Sequence, residues 1–318
     1  MTATVPLISV VIPIYNGEGD LPDLIACLWM QTYPADRVEY LLVDNNSSDR
    51  TYSQLQSYAR QSADQGIKLI PLQETNIQSS YAARNQGIKQ SSGDIVVFTD
   101  ADCRPHPRWL EQVVQPFQQP SSTAGIVAGE VIGLPSSNWL ETFADRQNTL
   151  SQKHTLAHPF RPYGQTANLA VRRQLFHQTG LFRPYLTTGG DADMCWRILA
   201  DGPWTIEFAE DAIVKHRHRS TLRELKKQWQ RYGRSNRYLH SLYNVDLTRE
   251  LTIRYYVYRL VRWCFKELPL TLAKMAMGRA DWMDTVVTPI GLFCAQARSQ
   301  GQNQAQLPPN AQLIEWLT

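Results

Sequence analysis

The strongest constraint on the fold is an alternation. From residue 7 to about 131, short apolar runs rich in β-branched residues ("LISVVIPI", "YLLVDN", "KLIPL", "DIVVFTD" and "GIVAGEV") are separated by stretches of helical spacing at Leu21–Gln31, Thr51–Arg60, Ser79–Lys89 and Pro107–Phe117. Strands that are apolar almost throughout are buried on both faces, and a helix after each one carries the chain back for a parallel neighbour. The expected class is α/β, a Rossmann-like, mostly parallel sheet with helices on both faces. In such sheets ligands bind beyond the carboxyl ends of the strands. Those ends carry Tyr15 and Asn16, the run Asp44 to Asp49, and Asp100 with Asp102, so polar residues gather where a site belongs.

The stretch "VVFTDADCRP" ends a buried strand on two carboxylates. Two like charges there repel, and burial of either is costly, so the pattern calls for a cation that the chain does not supply. An extended Asp-x-Asp puts both side chains on one side of the backbone, where they can share a hard divalent ion that takes its other ligands from phosphates. The plain alternative is a pair of solvated or capping aspartates. Asp44 leaves its strand in the same way, while Ser47 to Asp49 read as turn and cap residues. Arg84 sits in an Ala-rich helix, where its guanidinium suits a phosphate or a nucleotide as well as an ordinary helix surface. In "TTGGDADMCWRIL", Asp191 and Asp193 follow two glycines at the start of a helix, a place that fits either an N-cap or a catalytic base.

Beyond residue 132 the pattern loosens. A helix is expected over Trp139–Leu150, an extended segment at "TANLAVRR" and a helix from near Asp191. "STLRELKKQWQRYGRSNRYLHSL" reads as a long amphipathic helix opened by a Thr221/Glu224 capping box, and Arg249 to Met277 as a second helical region mixing Arg with aromatic residues. The expected organisation is a main domain over 1–218, divided near 131 into two halves. A helical region over 219–298 and a flexible Gln/Asn-rich tail over 299–318 complete it.

In order, "VVIPIYN", "LLVDNNSSD", "AARNQGI", "GDIVVFTDAD", "TANLAVRR", "GGDADMCWR" and "AEDAIVKHRHR" resemble the run of motifs in family 2 glycosyltransferases of the GT-A fold, over roughly residues 7 to 240. The resemblance makes 1–218 a catalytic domain with a nucleotide-sugar half to about 131 and an acceptor half from about 132, and implies that Pro13, Tyr15 and Asp44 line the nucleotide pocket with Arg84 close by. Asp100 and Asp102 would be the D-x-D that holds Mn²⁺ or Mg²⁺ against the donor diphosphate. His216, or failing it His218, would complete the metal site, and Asp191 would be the base, although the family often has Glu where this chain has Gly190. "QWQRY" is similar to a degenerate Q-x-x-R-W motif. The implied activity is inverting, metal-dependent transfer of a sugar, a hexose from a UDP-sugar, to the hydroxyl of a glycan or lipid-linked acceptor.

Nine Lys or Arg against the single acid Glu224 between Lys215 and Arg237, and the Arg-rich helix after 249, suit the anionic surface of a membrane. No nucleic-acid partner is expected. The N-terminus has no basic region typical of a signal peptide, and five scattered cysteines suit reduced thiols, so a cytoplasmic setting at the membrane face is expected. Aromatic residues Trp139, Phe143, His154, His158 and Tyr163 could stack on an acceptor sugar or serve the core. Rival readings are a nucleotidyltransferase, a Rossmann oxidoreductase lacking the third glycine of its fingerprint, and a basic membrane-binding module without catalysis.

Overall fold

In a computed structural model the structure describes residues 5–200 and 202–317; the first four residues of the expected catalytic domain and the last of the expected tail lie outside these. The chain runs β1 (Ile8–Ile14), α1 (Leu21–Trp29), β2 (Val38–Asp44), α2 (Thr51–Asp64), β3 (Lys68–Gln73), α3 (Ser80–Gln90), β4 (Ile95–Phe98), β5 (Cys103–Pro105), α4 (Trp109–Val114) and β6 (Ala124–Gly133). It continues with α5 (Trp139–Arg146), α6 (Lys153–Leu156), β7 (Leu169–Arg172), α7 (Leu175–Thr179), α8 (Gly190–Ala200) and β8 (Thr205–His216). Four helices follow: α9 (Leu222–Tyr243), α10 (Ile253–Arg262), α11 (Leu268–Ala276) and α12 (Val287–Gln304).

The five strands expected from apolar runs are β1 to β4 and β6. They form an eight-stranded sheet in the order β3-β2-β1-β4-β7-β6-β8-β5. β1, β2, β3 and β4 are parallel, β7 lies antiparallel between β4 and β6, and β5 closes the far edge antiparallel to β8. The sheet is therefore mixed but mostly parallel, with the "TANLAVRR" segment supplying β7. Every side chain of β1, β2 and β4 is buried, which explains why their sequences show no polar alternation. α4 is shorter than its pattern suggests, because Pro116 falls in a 3-10 turn over Gln115–Gln118.

Glu39 places a charge inside this apolar layer. Glu39, 2% exposed, accepts from Ser9 Oγ at 2.7 Å, the Ser92 amide at 2.7 Å and Lys68 Nζ at 2.6 Å. Burial by itself would raise its pKa; these donors, led by Lys68, overcome that and hold it at about 2.

The chain divides into two compact units. The sheet unit takes the chain up to Leu134, Leu150–Arg217 and the segment from Pro308, whereas the helical unit takes Pro135–Thr149 and His218–Leu307. This division differs from the expected boundaries in two places: α5 groups with the C-terminal helices, and the tail carries regular structure and contacts. Residues 299–304 complete α12, and the segment from Pro308 packs in the sheet unit. There the Leu181 amide donates to Glu315 O at 2.8 Å, and the Glu315 carboxylate accepts from Lys89 Nζ at 2.8 Å and Asn85 Nδ2 at 3.1 Å. Its polar composition suggested disorder, but Ala311 and Leu317 are buried.

In the helical unit α9 and α12 cross closely at two glycines. A Cβ at Gly233 would stand 1.9 Å from Arg298 O, and one at Gly301 would stand 2.0 Å from Gln230 O. Leu140, Phe143, Leu225, Ile290 and Cys294 form a small core there. Thr221 caps α9 by accepting from the Glu224 amide at 3.2 Å, while the Glu224 carboxylate takes the Ser220 amide, one residue earlier than a regular capping box.

Candidate active site

The carboxyl end of β1 turns sharply. Asn16 adopts a left-handed backbone (φ 48°), its amide donates to Ser47 Oγ at 2.9 Å, and its Oδ1 accepts from the Ser48 amide at 2.8 Å. The loops after β1 and β2 are thus tied together. Tyr15 is 57% exposed, whereas Pro13 is buried. Asp44 ends β2 only 2% exposed, and its Oδ1 has no hydrogen-bond partner within the protein. A buried acceptor left open in this way suits an N–H group from a ligand.

Arg84 projects from α3 and is 3% exposed. Its Nη2 donates to Asp100 Oδ1 at 2.5 Å, and the guanidinium lies over the Tyr81 ring, 5.6 Å from its centre. Its buried Nε lacks a partner in the protein. Asp100 is therefore held by Arg84 through one oxygen of its carboxylate.

Asp102 meets a different partner because of the sheet. β5 pairs antiparallel with β8 so that Cys103 lies opposite His216, which brings the preceding Asp102 beside the imidazole. His216 Nδ1 is 2.8 Å from the Arg217 carbonyl oxygen, and its Nε2 is 3.4 Å from Asp102 Oδ1. A carbonyl only accepts, so Nδ1 donates to it, and Nε2 is the ring nitrogen that faces the carboxylate. An imidazole nitrogen and a carboxylate oxygen that face each other can share a divalent cation. Ligand atoms of Asp102, Cys103 and His216 lie within 4.8 Å of one another. Burial drives the Cys103 thiol well above its usual pKa, and Asp100 and Asp102 push it further. A thiol is a soft ligand, whereas Asp102 and His216 offer the oxygen and nitrogen that suit Mg²⁺ or Mn²⁺, so these two are the pair that best fits such an ion.

His218, the other histidine considered, is not part of this cluster. It belongs to the helical unit, where its Nε2 lies 3.4 Å from Asp145 Oδ1.

Asp191 stands in the first turn of α8, half-buried, and accepts from Thr166 Oγ1 at 3.1 Å. Burial raises its pKa; Arg84 opposes the rise and Asp100 adds to it. Arg84, Asp100 and Asp191 thus share one electrostatic neighbourhood. The residue before it explains the departure from the family's Glu-Asp pair: the Gly190 amide donates to Tyr81 Oη at 3.0 Å, and a Cβ there would fall 2.7 Å from Tyr81 Cζ. The tyrosine ring occupies the space that a glutamate side chain would need. Asp193, by contrast, is fully buried between Arg183 at 2.7 Å and Arg197 at 3.1 Å, a structural ion-pair hub.

Tyr81 and Thr166 are contacts of the site that sequence reasoning did not single out. Thr166 lay within a quoted motif, but nothing in its spacing marks it as a partner of a residue 25 positions later. Of the aromatic acceptor candidates, Phe143 serves the helical core, and His158 and Tyr163 pack around Trp196 at ring distances of 5.4 and 5.9 Å.

Compared with known proteins, residues 9–187 match the family described as Glycosyl transferase family 2. The chain belongs to this family. It is 34% identical to glycosyltransferase AglE of Haloferax volcanii over 81% of this chain and 82% of that protein. An undecaprenyl-phosphate 4-deoxy-4-formamido-L-arabinose transferase of Pseudomonas aeruginosa is 29% identical over 60% of this chain and 56% of its own length. Among solved structures, the mannosyltransferase PcManGT from Pyrobaculum calidifontis, in complex with GDP-Man and Mn²⁺, superposes with a TM-score of 0.67 at 19% identity, covering 95% of this chain and 88% of that one. S. aureus TarS in complex with UDP-GlcNAc gives a TM-score of 0.53 at 14% identity, over 93% of this chain and 90% of that one. The fold is GT-A and the protein is a glycosyltransferase, which sets aside the nucleotidyltransferase, oxidoreductase and non-catalytic readings.

Proposed function

We propose that this glycosyltransferase moves a hexose from a nucleotide diphosphate sugar to an acceptor hydroxyl with inversion, Asp191 acting as general base. The observation that carries the reading is the shared neighbourhood of Asp191, Arg84 and Asp100, which joins a candidate base to groups suited to a donor. A carboxylate with a raised pKa is a stronger base at neutral pH, and Thr166 orients it without neutralising it. It would take the proton of the acceptor hydroxyl as that oxygen attacks the anomeric carbon from the face opposite the leaving diphosphate.

In this reading Asp44 Oδ1 accepts from the base of the nucleotide, Pro13 and Tyr15 flank it, and Arg84 Nε is a donor available to the phosphates. A UDP-sugar and a GDP-sugar are both compatible with the solved neighbours, one in complex with UDP-GlcNAc and another with GDP-Man. Asp102 and His216 would hold Mn²⁺ or Mg²⁺, with Asp100 contributing the oxygen not used by Arg84. When bound, that ion neutralises charge that develops on the diphosphate. The relative named for undecaprenyl phosphate supports a lipid-linked acceptor, and with it an anionic membrane surface and a peripheral, cytoplasmic-face location.

The test is titration calorimetry of nucleotide sugars with and without Mn²⁺. Donor binding by the native protein should strengthen with Mn²⁺, and Asp102→Ala should abolish that dependence. Mn²⁺-dependent binding that survives the substitution would remove Asp102 from the site.

A further inference from the structure

Helix α10 does not stop at Arg262. Its 10 residues pass through a five-residue π turn, Trp263–Glu267, into the nine residues of α11, and no residue in any of the three segments is buried. Ile253, Val257, Leu260, Val261 and Cys264 recur at i, i+4, i+7, i+8 and i+11, so they form one stripe. All five are exposed, Ile253 at 82% and Val257 at 54%, and Phe265 beside them is 82% exposed.

This is not a core face left loose by poor packing, since the helix is fastened along its other side. Trp263 Nε1 donates to Thr285 O at 2.8 Å, Thr288 Oγ1 donates to Glu267 at 2.6 Å, and Arg259 reaches Thr288 at 3.4 Å. Contiguous apolar surface held outward marks a contact site. The charges around it select the partner. Arg254, Lys266 and Lys274 accompany the stripe, while the lone acid of these segments, Glu267, is already occupied by Thr288 and by Arg262 at 3.0 Å. A second copy of the chain would bring like charges together. An anionic bilayer would pair each cation with a headgroup and bury the apolar stripe below.

We propose that the helix from Ile253 to Ala276 lies in the plane of an anionic membrane, its Ile253–Cys264 stripe inserted at the level of the acyl boundary. It lies flat rather than spanning: among the described residues no helix is long and apolar enough to cross a membrane. Trp139 and Trp282, ring centres 5.8 Å apart in the same unit and both over 40% exposed, supply the aromatic pair that favours such an interface. The inference deepens the transferase reading, on which it rests for the lipid-linked acceptor, by naming the surface that meets the lipid.

The experiment is flotation of the full chain with phosphatidylcholine vesicles, with and without phosphatidylglycerol, over a range of salt. The native protein should float with the anionic vesicles. V257E/V261E should lose partitioning on the order of 100-fold, and R254Q/K266Q/K274Q should lose about fivefold per cation together with most of its salt dependence. Both variants should keep Mn²⁺-dependent donor binding, whereas Asp102→Ala should lose that and still float, so failure of the docking and failure of the transferase reading are distinguishable. Flotation of V257E/V261E equal to the native protein would overturn the proposal. So would a native protein that ignores vesicles, including one that sediments as a dimer which V257E/V261E dissolves, for then a second copy covers the face.

Discussion

Replacing Asp191 by Asn separates the chemistry of the site from its stability, because the two should move in opposite directions. The amide keeps the shape and the oxygen that accepts from Thr166 at 3.1 Å, so the loop before α8 and the donor groups stay in place. What disappears is the base. A positioned general base contributes roughly 10²–10⁴ in rate, so turnover should fall by about that factor, a barrier increase of about 3–5 kcal/mol, with donor affinity unchanged. Stability should rise. Burial raises the pKa of Asp191 in the folded protein, so the folded state binds a proton more readily than the unfolded one and is disfavoured once that proton leaves. The penalty is absent below the ordinary carboxylate pKa and complete above the raised one. Asn carries no such penalty, so its advantage in urea unfolding should be full at pH 7.5 and shrink as pH falls. Single-turnover release of nucleoside diphosphate, calorimetry on the same donor and the unfolding pair at two pH values make up the assay. Turnover within about tenfold of the native enzyme would refute the role of Asp191 as base.

Two further outcomes test the framework. Glu39→Gln should destabilise the sheet unit at neutral pH: a carboxyl held at about 2 instead of 4.5 is worth on the order of 3 kcal/mol, present above pH 4.5 and lost as pH falls toward 2, so urea midpoints of the two proteins should converge in acid. Gly233→Ala should destabilise the helical unit by about 1–2 kcal/mol, the strain of overpacking against Arg298 O less the gain in helix propensity, whereas Gly291→Ala, with nothing within 4 Å of its new methyl, should stabilise it by up to about 1 kcal/mol; hydrogen exchange of the α9 and α12 amides reports both, and equal effects would mean that the helices cross less closely.

The parts of the fold visible in the sequence are those set by local burial. β1, β2 and β4 lie in the middle of the sheet and read as apolar runs whatever their partners. β5 has three residues and exists because Cys103 finds His216, far along the chain, so no local pattern marks it. At the site, side chains at strand ends were legible as types: Asp44, Asp100 and Asp102 are expensive there without a reason. Their pairings were not. Arg84 choosing Asp100, Thr166 holding Asp191 and Tyr81 filling the space beside Gly190 are contacts across 16, 25 and 109 residues of chain. The tail shows the opposite error, for its composition is that of a solvated segment while Glu315 bonds to Asn85 and Lys89.

That last bond has a consequence for how the protein is made. Asn85 and Glu315 are separated by 230 residues, and the helical unit is threaded into the interval between them. During translation the sheet therefore waits, one flank unsealed, until the ribosome has delivered everything in between, and non-local closure of this kind is slow. A protein shortened at Leu307 should accumulate with Leu181 and Lys89 uncovered, a substrate for chaperones and proteases even though every residue assigned to catalysis is still present.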